Sequence, residues 1–122
     1  MPARMTYPII IIDPESVPDS TAVRQLDAFT VRETDGTLRP KIYINRESVV
    51  LQNAVKGVDL YRKVLAAVIV HEATHLAGGS EAAAREAELR FFGALVAKGL
   101  VSRDDGLRYL DLLRQRPRQN DD

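Results

Sequence analysis

His71 and His75, the only two histidines among the 122 residues, stand one helical turn apart in the pentapeptide His71-Glu72-Ala73-Thr74-His75. On an α-helix residues i and i+4 lie one above the other, so two imidazoles spaced this way can hold one cation from the same side. Glu72 is turned by about 100° from His71. That places its carboxylate beside such a cation rather than on it, where it can take a proton from water. A zinc ion lowers the pKa of a bound water to roughly 7 and polarises a carbonyl, so water can attack an amide without a covalent intermediate. The chemistry these residues imply is metal-assisted peptide-bond hydrolysis with Glu72 as general base.

Catalytic zinc commonly takes three protein ligands. The chain has no cysteine and no third histidine, which leaves a carboxylate. Downstream, Ser80 is placed to cap a helix from Glu81 to Lys98 whose carboxylates are Glu81, Glu86 and Glu88. At 100° per residue, Ala84, Ala87, Phe91, Phe92 and Leu95 form its apolar face. Glu81 and Glu88 fall on or beside that face, and Glu86 points away with Arg90. In an antiparallel helical hairpin about Gly78-Gly79, Glu81 lies across from His75 and Glu88 across from Val68. The expected metal ligands are His71, His75 and Glu81. Glu88 is the alternative third ligand, or an outer-shell acceptor, or a partner for Arg85 or Arg62.

These residues, within HEATHLAGGSEAAAREAELRFF, resemble the HExxH zincin metallopeptidases over about residues 60 to 96. The spacing is superficially similar to the metzincin pattern, with Glu81 where a third histidine would stand. Metzincins carry a methionine turn after the motif, whereas Met1 and Met5 precede it. A glutamate on the next helix looks more like the gluzincin branch and its minimal single-domain members. There an Asp four residues after the ligand glutamate often orients a histidine; this sequence has Arg85. The resemblance implies Zn2+ as cofactor and a peptide or protein substrate bound by strand addition at a sheet edge, for which Lys41 to Asn45 is the candidate. It also implies an oxyanion donor, with Tyr43, Tyr61 and Tyr109 as possibilities.

The elements that must hold these residues are legible in outline. Leu60 to Leu76 contains no Gly or Pro, with Asp59 as expected N-cap and Gly78-Gly79 as C-terminal stop. The β-branched run Val68-Ile69-Val70 would suit a strand. Yet Leu60, Val64, Val68, His71 and His75 keep a helical stripe over several turns, and Leu65 and Ile69 widen it. Tyr7 to Ile12 reads as a buried strand with Pro8 at its start or on an edge. Ser20 is placed to cap a short helix to Leu26. Ala28 to Arg32 and Arg39 to Asn45 alternate as half-buried strands of a hairpin turning at Asp35-Gly36, and Arg46 to Ala54 suggests a short helix. A helix from Arg103 to Arg114, with Leu107, Leu110 and Leu113 on one side, is expected to pack on its predecessor.

The expected fold is α+β: a small antiparallel or mixed β-sheet packed on the metal-binding helix, then a helical hairpin and a C-terminal helix. One domain over residues 1–116 and a flexible polar tail at 117–122 fit the length. Seventeen basic and seventeen acidic residues cancel, and without a basic patch no nucleic-acid partner is expected. No apolar stretch approaches the roughly 20 residues that cross a bilayer. Ile9 to Ile12 is too short for a signal peptide, so no membrane association and a cytoplasmic location are expected. A second functional class fits the same residues: a metal-containing domain that binds a partner protein without turnover.

Overall fold

The computed structural model describes residues 7–16 and 26–115. The fold is α+β: a three-stranded mixed sheet precedes a run of helices. The strands are β1 (Ile9–Ile12), β2 (Ala28–Phe29) and β3 (Ile42–Asn45), and the helices are α1 (Val49–Val55), α2 (Asp59–Leu76), α3 (Glu81–Ala97) and α4 (Arg103–Gln115). The expected helix from Ser20 lies outside the described residues, as does the tail at 117–122.

Sheet order is β1-β3-β2. β1 runs parallel to β3 with Ile9 opposite Ile42, and β2 runs antiparallel to β3 with Ala28 opposite Ile44. The expected hairpin is present, with Gly36 at φ +91° in its turn and an isolated bridge between Arg32 and Leu38. Two expectations are corrected. Lys41 to Asn45 is not an edge: β3 is the central strand, buried on both faces rather than half-buried, and its ladder groups are shared with two neighbours. β1 takes an edge instead. It is only partly buried, with Ile9 and Ile11 about half exposed because alternate side chains of a strand share one face and that face of β1 is left open.

Asn45 ties β3 to its surroundings. Its side chain donates to the Leu26 carbonyl (3.1 Å) and accepts from the Glu47 amide (2.8 Å). Ser48 then caps α1, accepting from the Leu51 amide while its hydroxyl donates to Asp27 (2.7 Å).

Val68-Ile69-Val70 is helical, since the buried stripe Leu60, Val64, Val68, His71 and His75 needs the helical period. The cap of α2 is Val58 rather than Asp59. Asp59 sits in the first turn, paired with Lys63, where a negative charge complements the helix dipole. α2 packs against α1 on one side and α3 on the other. Ser80 caps α3 as expected, accepting from the Ala83 amide. The core gathers Ala28, Ile44, Val50, Leu60, Val64 and Val68 with Phe92, Val101 and Tyr109. α4 is anchored by Tyr109, 1% exposed and stacked on Phe92 at 3.9 Å. Leu107, expected to pack, is 56% exposed, and the side chains of Leu110 and Leu113 lie outside the described set. No described helix is long and apolar enough to cross a membrane.

Candidate metal centre

The α2–α3 turn creates the site. α2 ends in a Schellman motif: the Gly78 amide bonds the His75 carbonyl (2.9 Å) and the Gly79 amide bonds the Thr74 carbonyl (2.9 Å). Gly78 holds φ +97°, a left-handed conformation that glycine adopts without steric cost. At Gly79 a Cβ would stand 2.7 Å from Thr74 Cγ2 and 2.9 Å from the Thr74 carbonyl oxygen, closer than packed atoms tolerate. The two glycines therefore allow α3 to return tightly along α2, bringing Glu81 back to the histidines.

His71 Nε2, His75 Nε2 and one oxygen of Glu81 converge within 4.8 Å of one another, and all three residues are buried. Glu81 Oε1 lies 3.0 Å from His71 Nε2 and 2.8 Å from His75 Nε2. Four ligands at roughly 2.05 Å around a tetrahedral ion lie about 3.3 Å apart, so the Glu81 oxygen stands within a few tenths of an ångström of that spacing from each imidazole. This buried group can hold a metal ion.

The outer contacts suit that use. Beyond the ligand atoms, His71 Nδ1 lies 2.7 Å from Glu88 Oε1 and His75 Nδ1 lies 3.1 Å from the Gly79 carbonyl oxygen. A carbonyl oxygen only accepts, so His75 Nδ1 carries hydrogen; the carboxylate of Glu88 assigns the same to His71. Each Nε2 is then the nitrogen that faces inward, where it gives a hydrogen to Glu81 in the metal-free chain and would offer its lone pair to a metal. Arg85 Nε donates to Glu81 Oε2 (2.8 Å), which leaves Oε1 toward the imidazoles. Glu72, Glu81 and Glu88 bring three carboxylates to this buried cluster, and the Arg85 guanidinium pairs with Glu81. A divalent cation suits such a concentration of carboxylates, in a place where uncompensated charge is costly.

No family model, curated protein or solved structure matches this chain. The reading of the site therefore rests on its own geometry.

The structure brings His71, His75 and Glu81 together as the spacing predicted. It places Glu72 beside them, 1% exposed, with Oε2 4.0 Å from His71 Nε2. Glu88 meets His71 Nδ1 rather than joining the converging group, while Arg85 holds Glu81 and Arg62 donates to the Ala54 carbonyl (3.3 Å) at the end of α1. Glu86 pairs with Arg90 in solvent. Of the three tyrosines considered as oxyanion donors, Tyr109 gives its hydroxyl hydrogen to Glu88 Oε2 and so is committed elsewhere. Tyr43 stacks on Phe29 and meets Arg39, and Tyr61 packs on the core. The Gly79 carbonyl and Tyr109 contacts escaped sequence reasoning. The first is a main-chain group with no residue signature, and the second joins helices across 21 residues. The Glu81–Arg85 pair was readable as an i,i+4 spacing.

Burial pulls the His71 pKa down, but the hydrogen bond to Glu88 and the charges of Glu72, Glu88 and Glu81 outweigh it, leaving His71 above its ordinary 6.5. For Glu81, burial raises the pKa, and the bonds from His75 and Arg85 with the charge of His71 overcome it, leaving Glu81 below its ordinary 4.5. A raised folded-state pKa stabilises below the unfolded value and is lost as pH climbs through the folded one; a lowered carboxylate pKa does the reverse. The metal-free chain should therefore be most stable between about pH 4.5 and 6.5 and weaken as pH rises further. Metal displaces the Nε2 protons and should move the optimum upward. Thermal unfolding from pH 4 to 9, with chelator and with zinc, checks this; identical profiles would remove the linkage.

Proposed function

We propose that the chain is a zinc-dependent metallopeptidase, with His71, His75 and Glu81 as metal ligands and Glu72 as general base. The observation that carries this reading is the convergence of two imidazole nitrogens and one carboxylate oxygen with a second carboxylate 4.0 Å from a ligand nitrogen. A structural site needs no base beside its ligands, whereas hydrolysis does. Two imidazoles and a carboxylate form a donor set that zinc accepts in hydrolytic enzymes.

A bound zinc ion would supply Lewis-acid activation of water and of the scissile carbonyl. Glu72 takes the proton that water loses as its oxygen bonds to the carbonyl carbon. It then gives that proton to the departing amide nitrogen as the C–N bond breaks, and the second proton of the water passes from the new carboxylic acid to the amine, yielding a carboxylate and an ammonium. Glu88 and the Gly79 carbonyl hold the two imidazoles in orientation, and Arg85 holds Glu81. Extended substrate would add to a sheet edge. With β3 central, that role falls to β1, whose outer side pairs with no described strand.

The depth of the group favours a second reading. With His71 and Glu72 each 1% exposed, a metal could serve stability alone, in a domain that binds a partner protein without turnover. The test is to load the untagged chain with zinc, verify one metal per chain by elemental mass spectrometry, and incubate it with an unstructured peptide pool. New N-termini that disappear with chelator support the peptidase reading. Full zinc occupancy with no cleavage would give the non-catalytic reading the site, and no zinc uptake would end both.

A further inference from the structure

Glu88 is fully buried, and its two oxygens face different elements. Oε1 lies 2.7 Å from His71 Nδ1 on α2, and Oε2 accepts the hydroxyl of Tyr109 on α4. A carboxylate held at one oxygen retains rotation about its last side-chain bond, and the imidazole bonded to it can follow. A donor on the second oxygen fixes the carboxylate plane, and with it the ring plane of His71 and the direction of its Nε2 lone pair. Tyr109 is itself placed by the same stripe of α3. Its ring stacks on Phe92, one turn beyond Glu88, at 3.9 Å and 15°, while its hydroxyl reaches Glu88.

We infer that Tyr109 is a positioning residue of the metal centre, which couples the docking of α4 to metal affinity through Glu88 and His71. The inference rests on the metal-ligand reading of His71, His75 and Glu81, and is independent of whether the site turns over. An aromatic ring on Phe92 would satisfy packing without any hydroxyl; the hydroxyl's aim at a carboxylate that also meets a ligand is what a packing role leaves unexplained. Coupling of this kind is reciprocal, so metal should in turn hold α4 more firmly against α3.

The test compares Tyr109→Phe, which removes the hydroxyl, with Ile42→Ala, which hollows the buried face of β3 away from this chain of contacts. Zinc affinity is measured by competition with a chromophoric chelator, and the ligand field by the visible absorption of the cobalt(II)-loaded chain. Tyr109→Phe should weaken zinc binding about 10–100-fold, the usual effect of losing an outer-shell partner, and should alter the cobalt spectrum. Ile42→Ala should lower the melting temperature while keeping zinc affinity and spectrum close to those of the parent. Parental affinity and spectrum in Tyr109→Phe overturn the inference, as does an equal loss in both variants, which would assign the effect to packing. A parent chain that takes up no metal instead overturns the ligand reading itself. Should Tyr109→Phe not fold, hydrogen exchange of the parent decides. Zinc should slow exchange in α4 more than in β1, and no such preference overturns the coupling.

Discussion

Replacing Glu72 with Gln should reduce peptide hydrolysis by about 10²–10⁴-fold, the usual contribution of a positioned acid–base group, while one metal per chain is retained. The amide has the size of the carboxylate but cannot accept the proton from water or return it to the leaving nitrogen. Glu72 lies outside the converging ligand group, so its replacement removes no donor from the metal. It also removes one of the negative charges that raise the His71 pKa. Protons then compete less well for Nε2 while a divalent cation loses the attraction of the same charge, so zinc affinity should change far less than on loss of a ligand. Steady-state rates on a peptide cleaved by the parent, measured beside zinc content, test both halves. Undiminished turnover would place the general base elsewhere, and lost turnover with lost zinc would make Glu72 a ligand.

Glu81→Gln should abolish tight zinc binding, a larger loss than the roughly 10–100-fold expected for an outer-shell change such as Glu88→Gln. One oxygen of Glu81 faces both imidazoles, at 3.0 and 2.8 Å, and an amide offers a neutral and much weaker donor there. Removing the metal from the parent should also destabilise the fold. A site occupied at 1,000 times its dissociation constant contributes about 4 kcal/mol through binding linkage. Its loss also takes the cation's charge away from the buried carboxylates of the cluster. Zinc titrations of both variants, with denaturant unfolding of the parent before and after chelation, check these outcomes. The assignment of the third ligand would be reversed by a Glu88→Gln variant that loses zinc while Glu81→Gln keeps it.

The candidate ligands were legible because their positions follow from local rules. Histidines at i and i+4 share a helix face whatever surrounds the helix. Two glycines after Leu76 stop α2, Ser80 starts α3, and so short a connection leaves few residues able to lie across from His75. Glu88 was legible only as an alternative. Its angle on α3 placed it near the apolar face, but the identity of its partner depended on how α2 and α3 were set against each other. The helical state of Val68 to Val70 followed from sustained periodicity, whereas the cap of α2 fell one residue earlier, at Val58, because an extended backbone alone can start a helix.

The order of the sheet was not legible. Lys41 to Asn45 alternates like an amphipathic edge strand, and nothing in its own residues announces that a parallel strand from the start of the chain pairs on its other side. Tyr109 was likewise one of three equivalent tyrosines until α4 was laid on Phe92. The sequence by itself determined the helix–turn–helix that carries His71, Glu72, His75 and Glu81, because helical period, capping and glycine turns act over a few residues. Only the tertiary structure decided that β3 is central, that Glu88 meets His71 and that Tyr109 meets Glu88. Those contacts join residues 17 to 33 positions apart, and their formation depends on how whole elements pack.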